Sequence, residues 1–352
     1  MSINFFFPAN LTLGYGIHSQ NLISEYYKLD NKISATPINQ INELLPNVKK
    51  AIENEFDLDS PSVMIWHAFE LHKFYGKERI GFPVFEQELN QRELNILKTL
   101  DRIIVVSNWA RDLLQSQNVK QQIDVVPEGF NPEIYFPIYK KPQKLERIDK
   151  KGITFMHVGK WEERKRTRDI IKAFNIGTEG HRARLICHCF SMFCDYKKLS
   201  EELLHSLHYS QMQPGFWAKG KQEIIIPQGQ IRTFEEVAKM YNNADFGLFF
   251  SKAEGWNLPL CELLACGVPC ITTINTGMTE YLLDTKLTIK SKEDLIEKIR
   301  MVTKNPDKHI DNTIYLHVHQ FTWKHAAENL QVALGLRSWK DIDAENLKAI
   351  NG

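Results

Sequence analysis

Two glutamates lie eight positions apart in the segment Glu-Gly-Trp-Asn-Leu-Pro-Leu-Cys-Glu, at Glu254 and Glu262. The apolar run at 245–251 predicts a strand before them, and Pro259 suits the first turn of a helix. Glu254 is therefore expected at the carboxyl end of a strand and Glu262 about one turn inside the helix. The free backbone amides at such a helix start attract anions. Together these groups can hold hydroxyls on both sides of a phosphate.

A sugar nucleotide presents this chemistry. Its sugar and its ribose carry hydroxyls on either side of a diphosphate, so each carboxylate can accept hydrogen bonds from one of them. The same spacing also arises where glutamates cap a helix or face solvent. The spacing alone leaves both interpretations open.

The surrounding residues favour the first interpretation, because the whole stretch 245–273 resembles the donor-binding signature of retaining glycosyltransferases of the GT-B fold. The resemblance is to family 4, in which a Glu-x7-Glu pair binds the donor. It implies that Glu254 acts in catalysis and that Glu254 and Glu262 bind the donor. It also implies donor contacts with the turn residues Gly255, Trp256, Asn257 and Leu258.

Earlier stretches resemble the same family in the same order. Gly14 and Gly16 look like its first-domain glycine loop, where glycines let the backbone approach a ligand, although Gly-x-Gly also marks an ordinary turn. The segments 101–109 and 125–136 are similar to two further stretches of the family. Glu128 departs from the residue that the family often has there, which leaves the role of that loop open.

A basic segment follows the predicted strand at 153–158. Cations beyond a strand end can neutralise a diphosphate leaving group, although a charge run is also typical of a solvated helix start. The resemblance implies that Lys160 and Lys165 contact the donor phosphates and act in catalysis. Arg164 or Arg166 takes the place of Lys165 if the loop is aligned one residue differently.

Two further sites follow from the resemblance. The stretch 224–231 resembles the loop that holds the nucleotide base through backbone groups, with Gln230 and Ile231 as candidates. On the acceptor side, His67 and Glu70 follow a predicted strand, where a histidine is often merely structural. The resemblance implies that His67, and after it Glu70, approaches the acceptor, and that His67 acts in catalysis.

The length of 352 residues favours two domains of roughly 150 residues each. Short apolar strands alternating with helical patterns indicate an α/β protein with doubly wound parallel sheets. The resemblance adds a GT-B architecture, in which two Rossmann-like domains face a cleft. We expect the acceptor-binding domain at 1–145, completed by the last helix at about 325–352, and the nucleotide-sugar domain at 152–324. The basic stretch 139–152 is expected to be an exposed linker. Strands are predicted at 3–7, 63–66, 102–106, 123–126, 154–158, 185–189, 224–226, 246–250 and 269–273.

A formal net charge of +1 gives no whole-protein attraction for nucleic acid or membranes. The sequence shows neither a membrane-spanning apolar run nor a secretory signal, so we expect a cytoplasmic protein, with peripheral contact to membrane-borne acceptors left open. No cofactor or metal is expected. Alternation along a strand separates His188 from Cys187 and Cys189, and Asp57-Leu58-Asp59 precedes a strand instead of following one.

The sequence thus predicts a retaining, metal-independent hexosyl- or pentosyltransferase. It would take a donor such as a UDP-sugar or a GDP-sugar, and its acceptor would be a glycan, a lipid-linked sugar or nucleic acid. Two alternatives stay open. The first is an enzyme that glycosylates modified bases of phage DNA, which would show affinity falling steeply with salt. The second is a non-catalytic sugar-nucleotide-binding protein, against which the presence of Glu254, Glu262 and Lys165 argues.

Overall fold

The computed structural model describes residues 2–191, 194–227, 229, 233–310 and 317–342. The strands are β1 (Asn4–Phe7), β2 (Ser34–Pro37), β3 (Ser62–Ile65), β4 (Arg79–Phe82), β5 (Arg102–Val105), β6 (Gln122–Val125), β7 (Ile153–Val158), β8 (Ala183–His188), β9 (Ser210–Gln213), β10 (Phe216–Lys219), β11 (Gln222–Ile225), β12 (Phe246–Phe249) and β13 (Cys270–Thr272). The helices are α1 (Gly14–Leu29), α2 (Pro46–Glu53), α3 (Gln91–Leu97), α4 (Asn108–Ser116), α5 (Lys141–Lys151), α6 (Thr167–Gly177), α7 (Tyr196–Ser206), α8 (Phe234–Asn242), α9 (Leu258–Ala265), α10 (Lys292–Lys304) and α11 (Trp323–Ala333). None of the helices in this described part of the chain is long and apolar enough to cross a membrane.

The first six strands form one parallel sheet in the order β2-β1-β3-β4-β5-β6. Every residue of β1 and β3 is buried, as expected for strands covered on both faces. The strand order reverses between β1 and β3. In open parallel sheets ligands bind beyond the carboxyl ends of the strands at such a point.

The second sheet has the order β13-β12-β7-β8-β11-β10-β9. Its first five strands are parallel, and β10 runs antiparallel to both β11 and β9. Here the order reverses between β7 and β12, which are paired neighbours. The segments that follow these two strands are therefore brought to the same crevice, although about 90 residues separate them in sequence.

The predicted α/β fold class is confirmed, and each of the nine predicted strands has a counterpart. Four strands were not predicted. β4 was missed because its sequence Arg-Ile-Gly-Phe is followed directly by Pro83, which is typical of a turn. β9 is exposed at every position, so it lacks the apolar pattern by which strands are recognised.

The predicted linker at 139–152 is wrong as a description of that stretch, because most of it is helix α5. Pro142 stands in the first turn, where its missing amide costs nothing. Leu145 and Ile148 pack against the core of the second sheet. The buried Lys144 donates to the carbonyl oxygen of Gly267 at 2.8 Å. Because so many residues of this stretch are lysines, the buried face of the helix was not recognised in the sequence.

Helix α11 packs against α1, where Ala327 and Leu330 share one buried core with Leu22. The chain reaches it through a bridge between Phe130 and Thr322. Trp339, which lies in the stretch 325–352 that was expected to complete the first domain, keeps 46 % of its surface exposed. Residues 343–352 lie outside the described part of the chain, so the completion of the first domain up to 352 and the domain boundaries stay predictions.

Candidate active site

Lys165 and Glu254 meet in the crevice of the second sheet. Lys165 ends a 3₁₀ turn after β7, and Glu254 follows β12. The Nζ of Lys165 lies 2.6 Å from Oε1 of Glu254, and Nη1 of Arg164 lies 2.6 Å from its Oε2. Burial opposes ionisation of Glu254, but the two cations outweigh it, so its pKa lies below the usual value. The carboxylate is thus held charged and fixed by two charge-assisted hydrogen bonds.

The basic loop directs its cations to different places. Arg166 adopts a left-handed backbone conformation with φ 51°, and its guanidinium lies 4.5 Å from the ring centre of Phe250. Lys165, not Arg166, therefore faces Glu254. Lys160 is half exposed, with its Nζ 3.9 Å from Oε1 of Glu162.

The turn after Glu254 is tightly fixed. The amide of Glu254 donates to Oγ1 of Thr276 at 2.8 Å, and the carbonyl oxygen of Glu254 accepts from the amide of Gly277 at 3.0 Å. Asn257 has a left-handed φ of 81° and directly precedes α9, in whose first turn Pro259 lies as predicted. All four predicted turn residues are buried: Gly255, Trp256, Asn257 and Leu258. In the first turn Pro259 has no amide and the amide of Leu260 donates to the carbonyl oxygen of Asn257 at 3.1 Å, so Leu258 supplies the amide that this helix start can offer to an anion.

Glu262 occupies a different environment from Glu254. It lies in α9 and is buried, and its Oε2 accepts from the hydroxyl of Tyr241 at 3.2 Å. Burial raises the pKa of the Glu262 carboxyl to about 8, although hydrogen bonds from Tyr241 and Tyr135 act in the opposite direction. The free protein therefore keeps this group largely protonated at neutral pH.

The predicted glycine loop has two different glycines. Gly14 begins α1, and a Cβ atom there would meet open space. At Gly16, a Cβ atom would overlap the carbonyl oxygen of Asn10. The glycine at position 16 is thus needed for packing within the chain itself. Between them, the Tyr15 hydroxyl donates to the carbonyl oxygen of Val84.

His67 lies in an aromatic cluster after β3. Its ring stacks on Phe69 at 5.3 Å and meets Tyr15 edge to face at 4.5 Å. Burial and the charge of Lys160 lower the pKa of His67. Both effects favour the neutral imidazole.

Glu70 contacts Trp66 and Lys73 on its own domain, and its acceptor role stays a prediction. Its Oε2 accepts from Nε1 of Trp66 at 2.8 Å, and its Oε1 lies 2.7 Å from Nζ of Lys73. Hydrogen bonds from Lys73 and Trp66 lower the pKa of the Glu70 carboxyl. These contacts give it a local role in holding the aromatic cluster.

Glu86 is a cleft residue that sequence reasoning missed. It follows β4, and its Oε1 lies 3.2 Å from Nη2 of Arg164, which belongs to the loop after β7. A carboxylate just beyond a strand end is a signal that could have identified it. The signal was lost because β4 itself was not predicted.

Glu128, where the sequence departs from the family pattern, forms a buried contact with His18. Its Oε1 lies 2.9 Å from Nδ1 of His18, which belongs to α1. The His18 ring also stacks on Trp323 of α11 at 5.7 Å. The pair thus joins the loop after β6 to helices α1 and α11.

The other candidates lie outside the described residues or at a distance from this crevice. Gln230 and Ile231 fall outside the described residues. Asp57 precedes β3 and accepts from the hydroxyl of Ser60 at 2.5 Å. Cys187 and Cys189 are buried and not disulfide-bonded. Across the described ranges, no group of three or more His, Cys, Asp or Glu side chains could hold a metal ion.

Two sheets whose strands are parallel except for β10, with a charged site at the switch point of the second, define the GT-B fold, which this chain has in common with solved structures. Anabaena Alr3699/HepE in complex with UDP-glucose superposes with a TM-score of 0.72 at 14 % identity, covering 95 % of this chain and 99 % of that one. Sucrose-phosphate synthase from Thermosynechococcus elongatus gives a TM-score of 0.69 at 14 % identity, covering 95 % and 98 %.

Sequence comparison agrees with the structural likeness. Residues 217–315 match the family model of glycosyl transferases group 1. The chain is 24 % identical over 216 residues to a probable sucrose-phosphate synthase of Thermosipho melanesiensis, covering 60 % of this chain and 46 % of that protein. It is 29 % identical over 164 residues to N-acetyl-alpha-D-glucosaminyl L-malate synthase of Bacillus anthracis, covering 46 % and 38 %. The matches therefore span less than half the length of these curated relatives.

Proposed function

We propose that this chain is a retaining glycosyltransferase, which moves a hexose or pentose from a nucleotide sugar to an acceptor hydroxyl. The observation that carries the proposal is the buried contact of Lys165 and Arg164 with Glu254 beside the start of α9. The site lies at the switch point of a parallel sheet, where nucleotides bind in doubly wound folds. The match to glycosyl transferases group 1 covers the turn and α9.

Each group of the site has a place in this reaction. Glu254, held charged by its two cations, accepts hydrogen bonds from hydroxyls of the transferred sugar. The diphosphate departs toward Lys165, Lys160 and the amide at the start of α9, which stabilise its growing charge. Glu262, with Tyr135 and Tyr241 around it, binds the ribose.

Retention requires the acceptor oxygen to attach on the face that the phosphate leaves. The bond from the anomeric carbon to the phosphate oxygen breaks while the bond to the acceptor oxygen forms. The acceptor proton passes to the departing phosphate oxygen. The protein supplies charge stabilisation and alignment of the two substrates, and closure of the two domains excludes water that would hydrolyse the donor. His67, with Glu70 second, approaches the acceptor from the first domain.

We further propose that the transfer needs no divalent cation. Lysines and a helix start beside a diphosphate can provide the positive charge that a metal provides in other transferases, and this supports the proposal. Asp57 and Asp59 lie at the amino end of β3, the edge opposite to the one at which substrates bind in parallel sheets. The cytoplasmic location likewise stays a prediction.

The test begins with the donor. Purified protein is titrated with UDP-glucose, GDP-mannose and other nucleotide sugars while thermal unfolding is followed, because a ligand present at 100 times its Kd stabilises the native state by about 2.7 kcal/mol. UDP-glucose comes first, since the HepE structure contains it. The stabilising donor is then offered to phosphorylated sugars, L-malate, lipid-linked sugars and duplex DNA, and the product's anomeric configuration is read by NMR. If no nucleotide sugar binds, the proposal is wrong.

A further inference from the structure

Three parts of the cleft converge on the short segment that follows β4. The hydroxyl of Tyr15, in the glycine loop, donates to the carbonyl oxygen of Val84. A Cβ atom at Gly255, in the donor turn, would lie 2.5 Å from Cγ1 of Val84. Glu86 reaches Arg164 in the basic loop at 3.2 Å. The segment from Val84 to Glu86 therefore fixes where the first domain meets the candidate donor site.

Arg164 is shared among three carboxylates. Its guanidinium lies 2.6 Å from Glu254, 3.4 Å from Glu162 and 3.2 Å from Glu86. Within this ion-pair network, as far as the described residues go, three cations face three carboxylates: Lys160, Arg164 and Lys165 against Glu86, Glu162 and Glu254. A diphosphate that binds at this network therefore gains a net positive charge from it only if one of these carboxylates gives way.

Glu86 is more easily displaced than Glu254, and unlike Glu162 it does not belong to the basic loop itself. Glu254 is buried and bound by two cations at 2.6 Å, whereas the Glu86 side chain is 40 % exposed and has the longer contact with Arg164. Glu86 also comes from the other domain, so a small domain movement can separate it from Arg164. Desolvation raises the pKa of the Glu86 carboxyl, Arg164 opposes this, and Glu254 adds to it. The site thus favours the ionised form of Glu86 less than that of Glu254, whose pKa is lowered.

We propose that Glu86 is the resting counter-ion of Arg164 and that the diphosphate of the donor displaces it, so that Arg164 becomes a further phosphate-binding cation of the site. This inference rests on the proposed function and deepens it. Donor binding then exchanges an interdomain ion pair for a contact between Arg164 and phosphate. Glu86 acts through Arg164 and is a positioning residue.

The test is the affinity for UDP and for inorganic pyrophosphate, measured by isothermal titration calorimetry at low salt. Replacing Glu86→Gln removes the competing charge but keeps the shape of the side chain, so we expect about two- to fivefold tighter binding of both probes, the range that a partly exposed ion pair supports. Glu88→Gln is the matched control, because Glu88 is an exposed carboxylate two residues further on. It should leave both affinities unchanged.

A double-mutant cycle assigns the effect to Arg164. In an Arg164→Gln background, Glu86→Gln should no longer tighten binding. The affinity ratio of Glu86→Gln to wild type should also fall toward one as the pH falls and Glu86 is protonated. In this ratio the titration of the probe and of the neighbouring Glu162, Glu254 and Tyr15 cancels to first order.

Three results would overturn the inference: unchanged or weaker binding by Glu86→Gln, an equal gain without Arg164, or a gain matched by the Glu88 control. A wild-type protein that binds UDP normally while Glu86→Gln is silent would refute this inference and leave the proposed function standing. Failure of the wild type to bind UDP, GDP, ADP and pyrophosphate would refute both.

Discussion

Replacing Lys144→Met should change how the stability of the protein depends on pH. Lys144 has no exposed surface, and its Nζ donates to the carbonyl oxygen of Gly267, just beyond the helix that carries Glu262. Burial lowers the pKa of Lys144 from 10.5 to about 8, with Asp245 opposing and Arg147 adding to the effect. Burial therefore makes the charged form of Lys144 less favourable in the folded protein than in the unfolded chain. This difference lowers the free energy of unfolding at neutral pH.

The direction and size of this pH dependence follow from proton linkage. Between pH 8 and 10.5 the unfolded chain holds the Lys144 proton and the folded chain does not, so the free energy of unfolding rises with pH. The pKa difference of about 2.5 corresponds to about 3.4 kcal/mol in total, of which about 2 kcal/mol should appear between about pH 6.5 and 9.5. This gain should be present in the wild type and absent from Lys144→Met.

Urea unfolding of both proteins across this pH range measures the difference, in which the titration of other groups cancels to first order. Lys151→Met, which removes an exposed lysine from the same helix, is the control and should keep the slope of the wild type. A wild-type-minus-Lys144→Met difference that does not vary with pH would refute the reasoning. A difference that falls with pH would mean that the folded state stabilises the charge of Lys144.

Three other predictions concern the site. Lys165→Ala should lower turnover about 100-fold or more while weakening nucleotide binding much less, because in the proposed reaction Lys165 stabilises charge that grows in the transition state; equal losses in steady-state kinetics and binding would contradict this. Glu262→Ala should weaken donor binding. The wild-type affinity for the donor should rise with pH up to about 8, because burial raises the pKa of Glu262 to about 8 and the ionised carboxylate is the better acceptor for ribose hydroxyls. Calorimetry at several pH values should show no such rise in Glu262→Gln. EDTA should leave initial rates nearly unchanged and Asp57→Asn should be close to silent; activity lost on chelation and restored by manganese would disprove metal independence.

Local patterns in the sequence determined the fold class of this protein and the structural elements around Glu254. The apolar run before Glu254, the turn and Pro259 predict a strand, a turn and a helix start, and the structure has them in those places. These features follow from side-chain periodicity and backbone chemistry over a few neighbouring residues. The alternation of strands and helices likewise sufficed for the fold class, because short crossovers allow few arrangements other than parallel sheets.

Tertiary structure alone decided which side chains meet and how they are charged. Glu86 joins Arg164 only because the two domains bring their loops together, and Tyr241 reaches Glu262 only because α8 packs beside α9. The basic helix α5 was mistaken for a linker because burial of Lys144 depends on partners more than 100 residues away. A pKa depends on desolvation and on neighbours in space, and neither can be read from spacing along the chain. The sequence could therefore identify both Glu254 and Glu262 as candidates. Only the packing around them makes Glu254 an ionised partner of two cations and raises the pKa of Glu262.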